Sequence, residues 1–174
     1  MTNKNLLAIT PHRKEPGRQR IAAYCRVSSR SDEQLNSLAN QIDFYRSRFE
    51  NDDTVVFVGI YAEEGLSGTQ AESRPQFMKM IEDCRSGHID CIWTKSVSRF
   101  GRNTVDTLIY TRELRSLGID VFFEKENIHS TESSGELMLT LMAAFAESES
   151  ETMSANIKWG KRRRYEQGIT GSIT

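Results

Sequence analysis

Strand-like runs and runs of helical period alternate along this chain, and that alternation constrains its fold more than any other feature. IAAYCRV (21–27) has strand composition, and DEQLNSLANQIDFYRSRF (32–49) follows with Leu35, Leu38, Ile42 and Tyr45 at helical spacing. TVVFVGIYA (54–62) is a second β-rich run, after which EEGLSGTQAES (63–73) reads as a flexible loop. Pro75 suits the first turn of a helix whose apolar face is Phe77, Met80, Ile81 and Cys84 and which Gly87 ends. IDCIWTK (89–95) is a third strand and SVSRFGR (96–102) a polar loop. Another helix begins at about Asn103, spaced from Asp106 as in a capping box, and closes at Gly118; DVFFE (120–124) is a fourth strand. The order implies a three-layer α/β/α domain around a mainly parallel sheet of four to five strands. Ligands of such sheets sit outside the carboxyl ends of the strands, where 26–31 and 95–102 both lie.

From about Ser134 the pattern changes. Residues 134–168 contain no proline, and no glycine between Gly135 and Gly160. A helix of roughly 30 residues would reach ~45 Å, longer than a small domain is wide, so it must project from the body. The apolar positions Leu137, Leu141 and Phe145 recur every four residues, as core or as a subunit contact. The expected organisation is a basic leader (1–20), an α/β body (21–133), a long helix (134–168) and a short tail (169–174).

Bulk properties narrow the class further. At 174 residues the chain suits one domain with an appendage. No stretch holds the ~18 consecutive apolar residues of a membrane span, and the polar N-terminus lacks a secretory h-region, so the expectation is a cytoplasmic protein with no membrane partner. Cys25, Cys84 and Cys91 sit in apolar stretches and read as reduced core residues. The three histidines show no metal-ligand spacing, and neither metal nor cofactor is expected. The net charge of −1 conceals asymmetry: residues 12–20 and KWGKRRR (158–164) are basic, whereas ESESE (147–151) is acidic.

Alternation along the first strand puts Tyr24, Arg26 and Ser28 on one face and Ala23, Cys25 and Val27 on the other. Ser28 reads either as a turn or cap serine or as a nucleophile; Ser31 or Asp32 lies closer to the periodic run and can cap the helix instead. Arg99 and Arg102 in SRFGR are solvated loop residues or anion ligands, and Arg74, just before Pro75, joins them at the carboxyl edge. If four arginines converge on one serine, the fitting chemistry is phosphoryl transfer, in which guanidinium forks hold non-bridging oxygens and offset transition-state charge. No histidine lies near Ser28 in sequence to serve as its base. GKRRR is either a basic contact to DNA phosphates or a helix end that complements the dipole.

YCRVS (24–28), NSLANQ (36–41), EEGLSG (63–68), SRP (73–75), KSVSRFGRN (95–103) and KWG (158–160) together resemble the catalytic domain of the serine site-specific recombinases, in the family's order, over about Ile21 to Gly168. The resemblance implies a DNA strand transferase that needs neither metal nor ATP. Ser28 would attack the DNA backbone to form a 5′-phosphoserine bond and free a 3′-hydroxyl. Arg26, Arg74, Arg99 and Arg102 would hold the scissile phosphate, Gln41 would support the site from the first helix, and Tyr24, Glu64 and Ser98 would be supporting residues. The long helix would mediate dimerisation, with tetramers in the synaptic complex, and lay Lys158, Lys161, Arg162, Arg163 and Arg164 on double-stranded DNA. KSVSRFGRN, with Ser98 where small members usually have aspartate, and KWG look more like the large recombinases of integrase and transposon-excision type, for which an accessory directionality protein is a further expected partner. Relatives commonly carry arginine where Glu151 stands and glutamate where Ala155 stands, which puts an ionic contact on the long helix in question. Six residues follow Gly168, so the chain reads as a piece of a longer protein whose DNA-recognition domain lies elsewhere. The competing readings are a non-catalytic α/β dimerisation module that binds nucleic acid through its basic helix, and a metal-dependent nuclease, which the lack of a ligand cluster disfavours.

Overall fold

The computed structural model describes residues 17–27, 31–64 and 74–146. Its strands are β1 (Gln19–Arg26), β2 (Val55–Glu63), β3 (Cys91–Thr94), β4 (Asp120–Phe123) and β5 (Ile128–His129). They form one sheet in the order β2-β1-β3-β4-β5, the first four parallel and β5 antiparallel to β4. The helices are α1 (Asp32–Phe49), α2 (Pro75–Arg85), α3 (Val97–Phe100), α4 (Thr104–Ser116) and α5, which starts at 133 and is described to 146.

The sheet is buried on both faces because its strands carry apolar side chains on both. Ile21, Ala23, Cys25 and Val27 pack with Leu38, Tyr45 and Phe49 of α1. Ala22 and Tyr24 point the other way, into a cluster with Phe77, Met80, Ile81 and Cys84 of α2, Phe100 of α3 and Leu114 of α4. Over these described residues the alternation expected of β1 is the one observed; Ser28 lies outside them. Each large apolar side chain buried this way contributes about 1.5–3 kcal/mol. The three cysteines are free and buried, and burial first of all pushes the Cys25 and Cys84 thiols up to about 12, which keeps them protonated and inert.

Several boundaries differ from the sequence reading for identifiable reasons. β1 begins two residues before Ile21, since Arg20 is tied to Asp90 at the start of β3. The stretch expected as a polar loop contains the single turn α3, drawn inward by Phe100, which is fully buried. The fifth strand is a two-residue return after a turn with Asn127 at φ 53°, too short to leave a β-rich run in the sequence. Ser31, one of the two expected candidates, occupies the N-cap position of α1 with an extended backbone but without a side-chain hydrogen bond to the helix amides. Asn103 caps α4 by accepting the Asp106 amide at 2.8 Å, as its spacing predicts. In α5, Leu139 is buried and Met138 packs on the core, whereas Leu137, Leu141 and Phe145 are 62%, 51% and 66% exposed, so these three are not core within one chain.

One irregularity reaches the functional edge. Ile21 pairs with Phe57 but Ala22 pairs with Gly59, so Val58 is an extra residue in β2. Gly59 takes φ 145°, a conformation open to glycine and costly to other residues. The bulge reverses the parity of the strand. Val55 and Phe57 face α1 before it, and Ile60 and Ala62 face α1 after it, so Tyr61 and Glu63 turn to the face carrying Tyr24.

Candidate active site

At the carboxyl edge of β1 and β2, Tyr24, Glu63 and Arg74 form a buried polar group in an otherwise apolar face. Arg74 immediately precedes α2, held there by Pro75 in the first turn, and is 8% exposed. Its guanidinium lies 3.6 Å from the centroid of the Phe77 ring and 5.3 Å from that of Tyr24. Its NH2 donates to the Tyr24 hydroxyl at 2.8 Å and to the Phe100 carbonyl, and its Nε to the Tyr24 hydroxyl at 3.3 Å. The Glu63 carboxylate stands 3.6 Å from Nε. The remaining nitrogen, NH1, is buried and has no hydrogen-bond partner among the described residues.

Glu63 organises this group. Its Oε2 accepts from the Tyr24 hydroxyl at 3.0 Å, while Oε1 accepts the backbone N–H groups of Gln76 at 2.9 Å and Phe77 at 3.3 Å. The carboxylate thereby satisfies first-turn amides of α2 that the Arg74 side chain leaves uncapped. Burial, opposed by Arg74, drives the Tyr24 phenol far above its ordinary pKa, so it is a neutral donor and not a proton acceptor near pH 7.

Arg26, at the end of β1, fastens the α3 turn. Its Nε donates to the Arg99 carbonyl at 3.0 Å, and its NH2 to the carbonyls of Ser98 at 2.7 Å and Gly101 at 3.1 Å. Desolvation foremost, with repulsion from Arg74 and Arg99, lowers its pKa, while Tyr24 and Glu63 oppose the shift; a guanidinium remains charged at neutral pH regardless. Arg99 is half-buried and close enough to repel Arg26. Three guanidiniums thus gather at one edge beside one buried carboxylate. Among the described residues only part of this positive charge is compensated, an arrangement chemically suited to an anion.

The other expected residues take different positions. Arg102 is exposed and reaches Asp106 in the first turn of α4 at 2.7 Å. Ser98 is exposed, its hydroxyl 3.1 Å from that of Ser96. Glu64 is exposed just beyond β2. Gln41 is buried on the α1 side of the sheet, where Nε2 donates to the Ser37 carbonyl at 3.2 Å. Ser28 and the basic residues Lys158, Lys161, Arg162, Arg163 and Arg164 lie outside the described residues. Glu63 is the residue that sequence reasoning passed over in favour of Glu64, and Gly59 inside a strand was the available signal for the bulge that brings it inward. Among the described residues no cluster of His, Cys, Asp or Glu could hold a metal ion, and no helix is long and apolar enough to cross a membrane.

Comparison with known proteins agrees with this architecture. The chain is 37% identical over 86 residues to the transposon Tn552 DNA-invertase BinR and to the Tn552 resolvase, both of Staphylococcus aureus; the match covers 48% of this chain and 43% and 42% of those proteins. The chain therefore spans less than half of either relative. Among solved structures, a resolvase family site-specific recombinase from Streptococcus pneumoniae aligns with TM-score 0.73 and 27% identity, over 86% of this chain and 99% of that one. The N-terminal catalytic domain of TP901-1 integrase shares the fold at TM-score 0.59 and 24% identity, over 77% and 98% of the two chains. The family model described as the resolvase N-terminal domain matches residues 21–170, nearly the whole chain, and the chain belongs to that family.

Proposed function

We propose that the chain is the catalytic part of a serine recombinase that cuts and rejoins double-stranded DNA through Ser28. The hydroxyl oxygen attacks the scissile phosphorus, a Ser28–phosphate ester forms at the 5′ side, and the bond to the 3′ oxygen breaks. The serine proton passes to a water or carboxylate, and the leaving 3′ oxygen takes up a proton. Reversal by a new 3′-hydroxyl rejoins the strand. One phosphodiester replaces another, so the exchange needs no nucleotide.

The observation that supports this reading best is the buried Arg74 guanidinium, whose NH1 has no partner among the described residues, next to Arg26 and Arg99 at the end of the strand that leads to Ser28. A buried donor without a partner costs about 1–3 kcal/mol, and a phosphate oxygen would remove that cost while adding a charge-assisted bond. Arg102 would complete the phosphate grip by leaving Asp106, an exposed pair worth little. Gln41, Glu64, Tyr24 and Ser98 support the site. Residues 21–133 form the catalytic body, and 134–168 a helix that pairs subunits through Leu137, Leu141 and Phe145 and lays its basic end on DNA. Ser98 and KWG favour the large recombinases, with dimers, synaptic tetramers and an accessory directionality protein.

The test is to trap the intermediate on a nicked or half-site duplex. An adduct on the 5′ side of the break that survives detergent and is lost in Ser28→Ala is expected. Persistence of the adduct in Ser28→Ala would remove the nucleophile assignment.

A further inference from the structure

On the opposite face of the sheet from the arginines, at the same carboxyl edge, α1 and the residues following β3 and β4 border an open cavity of about 530 Å³. One wall is a polar stripe of α1, in which Asn36, Asn40, Gln41 and Phe44 recur at intervals that share a helix face. The other wall carries Lys95, the residue after β3, and Glu124, the residue after β4. Gln41 is 9% exposed; its Nε2 is engaged by Ser37, and its Oε1 is buried with no partner among the described residues. Glu124 accepts from the Tyr45 hydroxyl at 3.2 Å through Oε2 alone among the described residues. Lys95 makes no ion pair among the described residues, and the Phe44 ring is 49% exposed.

These groups specify a ligand. Two acceptors among the lining residues, the Gln41 amide oxygen and the Glu124 carboxylate, call for N–H donors. The exposed ring offers a stacking surface, and the ammonium suits an anion beside that plane. We infer that the cavity receives an unpaired nucleobase bearing an exocyclic amine, from the DNA strand whose phosphate the arginines hold. Thymine, which has no such amine and a single N3–H, could serve only one of the two acceptors and would leave the other unsatisfied. Lys95 meets a phosphate of the same strand. The inference rests on the arginine cluster being a DNA phosphate site, and it assigns the neighbouring face of the sheet to base contact.

Fluorescence anisotropy on the 174-residue chain, with labelled single-stranded pentamers of dA, dC and dT, tests it. Binding of dA and dC is expected to exceed that of dT by roughly tenfold, as stacking and amine contacts imply. Phe44→Ala and Glu124→Gln should each lower dA and dC binding toward the dT value, whereas Arg74→Ala should weaken all three equally. Urea midpoints near that of the parent chain establish that both cavity variants fold. Equal binding of the three pentamers, or an unchanged preference in folded Phe44→Ala and Glu124→Gln, would overturn the inference. Serine-adduct formation on duplex DNA is scored separately: adduct without base preference breaks the cavity assignment alone, and base preference without adduct breaks only the recombinase reading.

Discussion

Two buried arginines at opposite edges of the same sheet differ in how completely their hydrogen bonds are made, and the difference separates a structural cation from one suited to a ligand. At the amino edge, Arg20 is 6% exposed and completely engaged: Nε and NH2 grip the two oxygens of Asp90 at 2.8 and 2.6 Å, and NH1 donates to the Gly87 carbonyl. At the carboxyl edge, Arg74 is equally buried, but its carboxylate partner stands at 3.6 Å, bound to the Tyr24 hydroxyl and two backbone amides, and NH1 has no partner among the described residues. Burial alone does not separate the two residues. Hydrogen-bond completeness does, because a structural pair gains only when every donor is matched, while a binding residue must keep one for its ligand.

The comparison is broken most readily at Arg74. Arg74→Lys retains a charge but loses the fork, and serine-adduct formation should fall about 10²–10³-fold, the cost typical of removing one transition-state donor. Single-turnover trapping measures it. Arg20→Ala should behave in the opposite way, leaving Asp90 without its partner and lowering unfolding free energy by about 3 kcal/mol in urea titrations, with the adduct rate of the folded fraction unchanged. Glu63→Gln sharpens the contrast. An amide oxygen can still receive the α2 amides, so about 1–2 kcal/mol of stability is lost, while Arg74 loses its counter-charge and the adduct rate drops roughly tenfold.

A pH-dependent prediction concerns the amino edge again. Burial works against the charged form of Asp120, but bonds from His129 at 2.5 Å, from the Thr131 amide and hydroxyl, and from Ser130 outweigh it and hold the carboxyl below its ordinary pKa. A carboxylate depressed in the folded state contributes stability in full above its unfolded pKa of about 3.9, and that contribution disappears as pH falls through the folded value. Unfolding curves between about pH 6 and pH 2 should therefore decline less steeply in Asp120→Asn than in the parent chain. The smallest effect belongs to Arg102→Ala, whose ion pair with Asp106 is 45% and 16% exposed; stability should move by no more than about 0.5 kcal/mol, although the adduct rate falls.

The four parallel strands and their helices were legible because each rests on a local period: alternation in IAAYCRV and the three-to-four spacing of Phe77, Met80, Ile81 and Cys84. Arg26 and Arg74 were legible for the same reason, since strand parity and Pro75 fix where they emerge. Glu63 was not, because parity counted from Val55 places it with Phe57 on the α1 side until the extra residue at Val58 reverses the strand. Nor was the turn α3, whose helical conformation depends on the tertiary burial of Phe100 and on the three carbonyls that Arg26 binds. Gly101 marks the tightness of that turn, since a Cβ there would lie 2.7 Å from the Thr107 backbone nitrogen, a clash visible only once α4 is in place.

The central claim is that the unsatisfied nitrogen of Arg74 serves a charged phosphate oxygen, and substrate chemistry tests it most directly. Adduct formation should be compared for the parent chain and Arg74→Ala on a normal scissile phosphodiester and on one with a non-bridging oxygen replaced by methyl, which removes the negative charge. If Arg74 serves that charge, the substitution is severe on the phosphodiester and nearly silent on the neutral linkage. An equal fold-loss on both linkages would show that Arg74 acts on the structure of the protein and not on the phosphate.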